Sequence, residues 1–184
     1  MEKEKTTIST LVSFEESMIN SRIIFLNGAI IPDLANSVIA HLLYLDSINN
    51  NDINIYINSP GGSVSDGLAI IDTMEFVKSK INTIAIGTAA SMAAVVLACG
   101  DKRYALKHSK IMIHQVYGGF EGTVSDVSIG YVNMLNAKKE LMEVLSEKTG
   151  KDVKQLEKDC DRDYWLNAEQ AKQYGIIDEV ISKQ

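Results

Sequence analysis

Residues 84–94 read Ile-Ala-Ile-Gly-Thr-Ala-Ala-Ser-Met-Ala-Ala, and they place a serine, Ser91, between two apolar segments. Segment 84–86 is typical of a buried strand, and the alanine-rich segment 93–98 favours a helix. Ser91 therefore lies at a predicted strand-to-helix junction. A serine hydroxyl in that position is a nucleophile if a neighbouring base accepts its proton. The alternative is a helix-capping serine in a tightly packed segment.

The composition favours one folded domain over residues 1–184 and argues against two classes of partner. Hydrophobic residues make up 46% of the chain and charged residues 23%, which is the balance of an ordinary globular domain. The formal net charge is −6, and no basic run is longer than Lys138-Lys139. Because phosphate groups are bound by clustered basic residues, we expect no binding to nucleic acid or to a membrane surface.

Cysteine usage and the first residues favour the cytoplasm. Cys99 and Cys160 lie far apart and neither belongs to a Cys-X-X-Cys pair, so a disulfide framework and a zinc site are both disfavoured. The first ten residues, MEKEKTTIST, are polar and no apolar run follows them, so we expect no secretory signal. The uncharged segment 83–100 is interrupted by glycine, threonine and serine, and we predict a strand and a buried helix there rather than a membrane span.

Strand-like and helix-like segments alternate along the chain. The apolar patterns predict strands at residues 22–26, 53–58, 82–86, 103–106, 110–114 and 177–181, and helices at residues 32–47, 64–78, 93–98, 123–149 and 168–174. This alternation is typical of βαβ units, which build a mainly parallel sheet with helices on its faces. The predicted class is therefore α/β, with an active site at the carboxyl ends of the strands.

The helix predicted at residues 123–149 is longer than a domain of this size needs to cover its own core. Its apolar residues keep steps of three and four, and Gly150 ends the pattern. At 1.5 Å per residue the helix extends about 40 Å. We expect part of it to pack on another subunit, and a helix that curves round its own domain is the alternative.

Residues 58–62, Asn-Ser-Pro-Gly-Gly, follow a predicted strand and precede a predicted helix. Because glycine leaves the backbone open, the N–H groups of this segment can point at an anion, either an oxyanion or a phosphate. The spacing matches neither common glycine-rich phosphate motif, and no lysine follows the glycines closely. A simple turn is the remaining alternative.

Three histidines are candidates for the base. His114 ends a predicted strand, whereas His41 lies within an amphipathic helix and His108 within a polar turn. A site at a strand end therefore favours His114. The alternative for this imidazole is a hydrogen bond to the backbone without a catalytic role.

A catalytic histidine also needs a carboxylate that orients it. The candidates are Asp159, Asp161 and Asp163, three acids at alternate positions. A calcium loop of the EF-hand type is disfavoured because the glycine and glutamate that it requires are missing. A solvated acidic loop remains open.

Six segments together resemble the proteolytic subunit of the Clp protease family, ClpP, over about residues 22–184. They are INSPGGSVSDGLAIIDTM (57–74), GTAASMAA (87–94), KRYAL (102–106), IMIHQ (111–115), DRD (161–163) and AEQAKQYGIIDEV (168–180). The resemblance implies a crotonase-like and ClpP-like α/β fold, a twisted and mainly parallel sheet with helices on its faces. It also implies a projecting strand and helix, the handle, at residues 115–150.

The same resemblance implies a serine endopeptidase without a metal or a cofactor of its own. Ser91 would be the nucleophile, His114 the general base and then acid, and Asp163 the orienting carboxylate. The backbone N–H groups of Gly62 and Met92 would form the oxyanion hole. Because a histidine base must be neutral to accept a proton, we expect hydrolysis to fall at acid pH.

The resemblance further implies an assembly of two stacked heptameric rings, a tetradecamer, with Arg162 and Asp161 in the contacts between the rings. An AAA+ unfoldase of the ClpX, ClpA or ClpC type would spend ATP to thread unfolded polypeptides into the chamber. Residues 1–20 would form the axial segment, yet they lack the family's Arg-Gly-Glu and Asp-Ile-Tyr-Ser-Arg elements. We therefore expect a divergent paralogue, which leaves a second ClpP paralogue open as a ring partner.

Three other functions remain open at this point. A crotonase-type acyl-CoA hydratase or isomerase uses the same scaffold, but it would rely on acidic residues rather than on Ser91. A serine-lysine dyad would use Lys102 or Lys107 as its base. An inactive ring partner would only regulate assembly.

Overall fold

A single sheet of seven strands runs through the computed structural model, which describes residues 16–182. The strands are β1 (Ile23–Asn27), β2 (Ile53–Ser59), β3 (Ile81–Ala90), β4 (Lys102–Leu106), β5 (Lys110–Ile113), β6 (Tyr164–Asn167) and β7 (Glu179–Ile181). Every pairing is parallel except that of β5 with β6. The predicted α/β class with a mainly parallel sheet is confirmed.

Helices connect the strands, and those between β1 and β2, β2 and β3, and β3 and β4 form the βαβ crossovers of the parallel sheet. They are α1 (Pro32–Ile48), α2 (Val64–Phe76), α3 (Met92–Ala98), α4 (Val124–Thr149), α5 (Val153–Asp159) and α6 (Ala168–Tyr174). All residues of α3 are buried, because this short helix lies in the centre of the core. Among the described residues, no helix is long and apolar enough to cross a membrane.

Strand β3 is the centre of the sheet and is longer than the sequence pattern predicts. One side of β3 pairs with β2. Along its other side, residues 82–85 pair with β4, and residues 88–90 pair with β5. The sequence pattern does not predict this second half of the strand, because the small residues at positions 87–90 lack the apolar alternation that is typical of a strand. The strand therefore continues to the residue before Ser91.

Besides the helical residues 16–20, two elements, α5 and β6, are absent from the sequence-based prediction. Each is short, and each contributes a single buried leucine, Leu156 in α5 and Leu166 in β6. A single buried residue shows no periodicity, so tertiary contacts rather than local pattern define these elements. The predicted strand at 177–181 begins two residues later than expected, and the predicted helix at 64–78 ends two residues earlier.

The helical part of the predicted handle is present as α4. Thr123 caps its first turn by accepting a hydrogen bond from the Asp126 N–H, and Gly150 ends the helix in the left-handed conformation. Only Leu141, Met142 and Leu145 of this helix are buried. In the half nearer its start most of the apolar residues are exposed, with Val124 at 85% and Ile129 at 62%.

The predicted strand of the handle is not formed within this chain. Residues 114–121 do not form a strand, although β5 ends immediately before them. A strand needs a hydrogen-bonding neighbour, and β6 pairs with β5 only up to the contact of Ile113 with Tyr164. Of the predicted axial segment 1–20, residues 1–15 lie outside the described part of the chain, and residues 16–20 are helical.

Arg103 joins four elements near the last strand. Its guanidinium donates to the carbonyl groups of Lys148 and Gly175, both at 2.8 Å, and forms an ion pair with Asp178. Asp178 accepts hydrogen bonds from the side chain and the backbone N–H of Arg103, and these hold the pKa of its carboxyl below the usual range, against an opposing effect of partial burial. Asp178 therefore stabilises the folded chain when it is ionised.

We expect Asp178→Asn to lower the free energy of unfolding at pH 7 by about 1 kcal/mol, a modest value because the carboxylate is 44% exposed and solvent screens the pair. The folded pKa is lowered, so the stabilisation is present above the ordinary carboxyl pKa. It is lost as the pH falls below about 4. Urea unfolding of both proteins across this range measures the difference. Asp72, which is exposed and unpaired among the described residues, provides the control Asp72→Asn, and an equal effect there would contradict the prediction.

Candidate active site

Ser91 occupies a strained turn between β3 and α3. Its backbone has φ 55° and ψ −128°, and it is one of two non-glycine residues with positive φ between residues 16 and 182. Such a conformation costs roughly 1–3 kcal/mol unless the surroundings impose it. Here the Ser91 N–H donates to the Met112 carbonyl at 2.8 Å, and this bond continues the β3–β5 ladder into the turn. The turn leaves the serine hydroxyl partly exposed beside a buried helix.

The side chains of Ser91, His114 and Asp163 form a continuous hydrogen-bonded chain. The Ser91 Oγ lies 2.7 Å from His114 Nε2, and His114 Nδ1 lies 3.1 Å from the Asp163 Oδ1. The histidine side chain is 16% exposed, whereas the aspartate side chain is 59% exposed. The structure therefore brings together the three residues that the sequence singles out.

The antiparallel pairing of β5 with β6 explains why His114 meets Asp163. Ile113 pairs with Tyr164, so the residue after β5 and the residue before β6 face each other. The contact continues past the strands, because the Gln115 N–H donates to the Cys160 carbonyl at 2.6 Å. The Gln115 side chain adds a bond to the Asp161 carbonyl at 2.9 Å. The imidazole is thus held from both ends of its segment.

The glycine motif at residues 58–62 packs directly against the Ser91 turn. A Cβ atom on Gly61 would lie 2.5 Å from the Ala90 carbonyl oxygen and 2.7 Å from the Ser91 Cβ, and its φ is +89°. Gly62 forms a parallel bridge with Ile30, in which the Ile30 N–H donates to the Gly61 carbonyl and the Ser63 N–H donates to the Ile30 carbonyl. In that bridge geometry the N–H of Gly62 points away from Ile30.

A small cavity with about 50 Å³ of free space adjoins the hydroxyl of Ser91. Gly62, Met92 and His114 line it next to the serine. Its remaining wall contains Gln115 and Tyr117 but is mostly apolar, with Val64, Val95, Ile113, Val116, Leu141, Met142 and Leu145. The Met92 N–H is in the first turn of α3, where backbone donors have no partner within the helix. The cavity therefore combines a hydroxyl, an imidazole and two backbone positions with an apolar wall.

The other predicted candidates for the base do not reach Ser91. His41 Nδ1 lies 2.7 Å from the Ser37 carbonyl oxygen of the preceding helical turn, and His108 lies in the turn between β4 and β5. Lys102 and Lys107 are exposed and do not line the cavity, so neither is placed to form a serine-lysine dyad with Ser91.

The three closely spaced aspartates have separate partners. Asp159 accepts hydrogen bonds from the Tyr174 hydroxyl and the Gln155 amide, whereas Asp161 accepts from Gln115. Within the part of the chain that the structure describes, no group of three or more potential metal ligands is found. Arg162 is 92% exposed at its side chain and lies 3.9 Å from the Asp161 carboxylate, so it is open to a partner.

Neither cysteine is an alternative nucleophile. Burial raises the pKa of the Cys99 thiol and of the Cys160 thiol to about 12. Both side chains are therefore thiols rather than thiolates near neutral pH, and the thiolate is the reactive form. Ser91, whose hydroxyl contacts His114, therefore remains the candidate nucleophile of this region.

Sequence reasoning missed two contributors to this site. Gln115 anchors the segment after His114, and the rings of Tyr117 and His114 pack in a T-shaped arrangement with 5.6 Å between their centroids. The signal for β6 was present in the run Tyr164-Trp165-Leu166 before the capping residue Asn167, since aromatic and apolar residues favour strands. It was too short to recognise without its partner β5.

A family model described as Clp protease matches residues 5–184. The match covers nearly the whole chain and begins well before residue 22, where the resemblance of the motifs starts. The chain belongs to the Clp protease family. Its mainly parallel sheet and the long helix α4 are those expected for this family, which supports a Clp-type peptidase.

We expect Gly61→Ala to lower the free energy of unfolding by at least about 3 kcal/mol, because the methyl group collides with the Ser91 turn in addition to the strain at positive φ. Gly28→Ala is a matched control. Gly28 has φ +86°, and a Cβ atom added to it would meet no other atom within 4 Å, so only the strain remains, roughly 1–2 kcal/mol. Denaturant unfolding measures both variants. Equal losses in the free energy of unfolding would show that the contact with the Ser91 turn does not contribute to the effect of Gly61→Ala.

Proposed function

We propose that the chain is a serine endopeptidase subunit that cuts unfolded polypeptides to short peptides in the cytoplasm. The observation that carries this proposal is the hydrogen-bonded chain from Ser91 through His114 to Asp163. Membership of the Clp protease family supports the same activity. In this proposal the chain uses no metal or cofactor of its own.

The geometry supports an acyl-enzyme mechanism. His114 Nε2 accepts the Ser91 hydroxyl proton while the serine oxygen attacks the scissile carbonyl carbon, and Asp163 accepts the Nδ1–H and stabilises the imidazolium. His114 then donates the proton to the leaving amine. In the second half, the same nitrogen takes a proton from the water that attacks the acyl-serine, and it returns this proton to the Ser91 oxygen as the second peptide is released.

The oxyanion of each tetrahedral intermediate would be bound by the N–H groups of Gly62 and Met92. The position of the two residues supports this role, since both line the cavity next to the Ser91 hydroxyl. A donor of this kind contributes typically 100-fold or more to the rate. The apolar wall of the cavity favours an apolar side chain before the scissile bond.

Assembly into two stacked heptameric rings is the proposed functional state. The exposed apolar residues in the first half of α4 support it, because contiguous apolar surface of that kind is usually covered by a partner. Asp161 and the exposed Arg162 would form ionic contacts between the rings, next to the residue that orients His114. A second ClpP paralogue is an alternative ring partner.

Isolation of the site within a chamber would make degradation depend on a partner. We propose an AAA+ unfoldase of the ClpX, ClpA or ClpC type, which uses ATP to unfold substrates and pass them to Ser91. A crotonase-type hydratase is disfavoured, since none of the described residues that line the cavity is acidic, and that chemistry relies on an acidic residue.

Ser91→Ala should abolish covalent labelling by a fluorophosphonate and lower peptide hydrolysis by at least about 1,000-fold, because the nucleophile is lost. Peptide mass analysis of the labelled wild-type protein identifies the modified residue. The control Ser47→Ala removes an exposed hydroxyl at the end of α1 and should be labelled normally. A label on another residue, or hydrolysis by Ser91→Ala at the wild-type rate, would refute the proposed nucleophile.

Asp163→Asn should lower kcat for peptide hydrolysis by about 100-fold or more, because the amide no longer holds the imidazole in the reactive tautomer. Native mass measurement of the same sample checks that assembly is unchanged. Asp159→Asn removes a carboxylate four residues earlier that contacts Tyr174 instead of His114, so its kcat should change little. Comparable losses in the two variants would show that Asp163 acts through general stability.

A further inference from the structure

The two halves of β3 pair with β2 in different registers. The shift between the two registers, the β3 step, lies a few residues before Ser91. Along β2, Ile57 pairs with Ala85 and Ser59 pairs with Ala89. One residue of β2, Asn58, therefore faces three residues of β3. On the other side of β3, the β4 ladder ends at Ala85 and the β5 ladder begins at Thr88. The backbone of residues 86–87 thus lacks regular pairing on both sides.

The side chain of Asn58 fills this gap. Its Oδ1 accepts a hydrogen bond from the Thr88 N–H at 3.0 Å, where a regular ladder would supply a backbone carbonyl. A Cβ atom on Gly87 would lie 2.5 Å from the same oxygen, so the glycine leaves the space that the amide occupies. Asn58 is held in turn, because its own carbonyl accepts from the Gly28 N–H at 3.0 Å.

Thr88 is where the second ladder starts. From this residue β3 pairs with β5 for three residues, and the Ser91 N–H then donates to the Met112 carbonyl. The register that Thr88 adopts therefore decides how Ser91 stands relative to His114, which follows β5 by one residue. A shift at Thr88 is transmitted to the hydroxyl over three residues of rigid strand.

We propose that Asn58 is a positioning residue of the site, which sets the Ser91–His114 distance by holding the β3 step through the Thr88 N–H. This inference rests on the proposed function, since it concerns the reactivity of Ser91. Asn58 is exposed, so water replaces its hydrogen bond when the side chain is changed, and the cost in stability is small. We expect loss of the Asn58 contact to lower the reaction rate instead, because a displacement of about 1 Å of a reacting group lowers the rate by as much as 100-fold.

The first test compares Asn58→Leu with Asn58→Asp in the intact assembly. Leucine has a similar size but no acceptor, whereas aspartate keeps an oxygen for the Thr88 N–H. We expect the rate of fluorophosphonate labelling to fall about 10- to 100-fold in Asn58→Leu and to stay within about threefold of wild type in Asn58→Asp. The kcat for peptide hydrolysis should fall in parallel while KM changes little.

Asn27→Leu is the matched control. Asn27 pairs in register with Asn58 on the neighbouring strand β1 and is also exposed, so the same substitution alters the same face of the sheet without touching Thr88. Its labelling rate should equal that of the wild-type protein. Equal losses in Asn27→Leu and Asn58→Leu, or equal losses in Asn58→Leu and Asn58→Asp, would overturn the inference.

A double-mutant cycle tests the same contact from the opposite strand and covers the case in which Asn58→Leu does not fold. Gly87→Ala should displace the amide of Asn58 and slow labelling, whereas Gly87→Ala added to Asn58→Ala should cause little further loss, because the displaced group is already absent. Additive losses would overturn the proposed coupling. A wild-type protein that is not labelled at Ser91 would instead refute the proposed function itself, and an active wild type with an equally reactive Asn58→Leu would refute only the positioning role.

Discussion

The hydrogen-bonded ladder from β3 through β5 to β6 is the constraint on which the site depends. Ser91 follows the first of these strands, His114 follows the second, and Asp163 precedes the third. Parallel pairing of β3 with β5 sets the serine beside the histidine, and antiparallel pairing of β5 with β6 sets the histidine beside the aspartate. Three residues from distant parts of the chain therefore meet without any of them being adjacent in sequence.

Backbone strain and burial around Ser91 hold the same geometry. The positive φ of Ser91 is maintained because the fully buried helix α3 follows it and the Gly61 backbone packs against it. A movement of α3 would open the core, and a movement of the Gly61 backbone towards the turn would produce a steric clash. The free energy stored in the turn is thus offset by packing elsewhere, an arrangement common at sites where a side chain must stand in one orientation.

One part of the long helix α4 packs inside the chain, and another part faces outward. Its last third supplies Leu141, Met142 and Leu145 to the core and to the wall of the cavity beside Ser91. Its first half presents apolar side chains to the outside. A subunit that docked there would bear on the same helix that lines the cavity, so assembly and the shape of the site are physically linked in the proposed state.

Local pattern and residue chemistry are enough to predict the α/β class, the approximate bounds of most strands and helices, and the candidates Ser91 and His114. Only the resemblance of motifs distinguishes Asp163 from its two neighbouring acids. The second half of β3, the strand β6, and the hydrogen bonds of Asn58 and Gln115 are evident only in the folded chain. These features arise from pairing between segments far apart in the chain, and such pairing leaves no periodic signal in either segment alone.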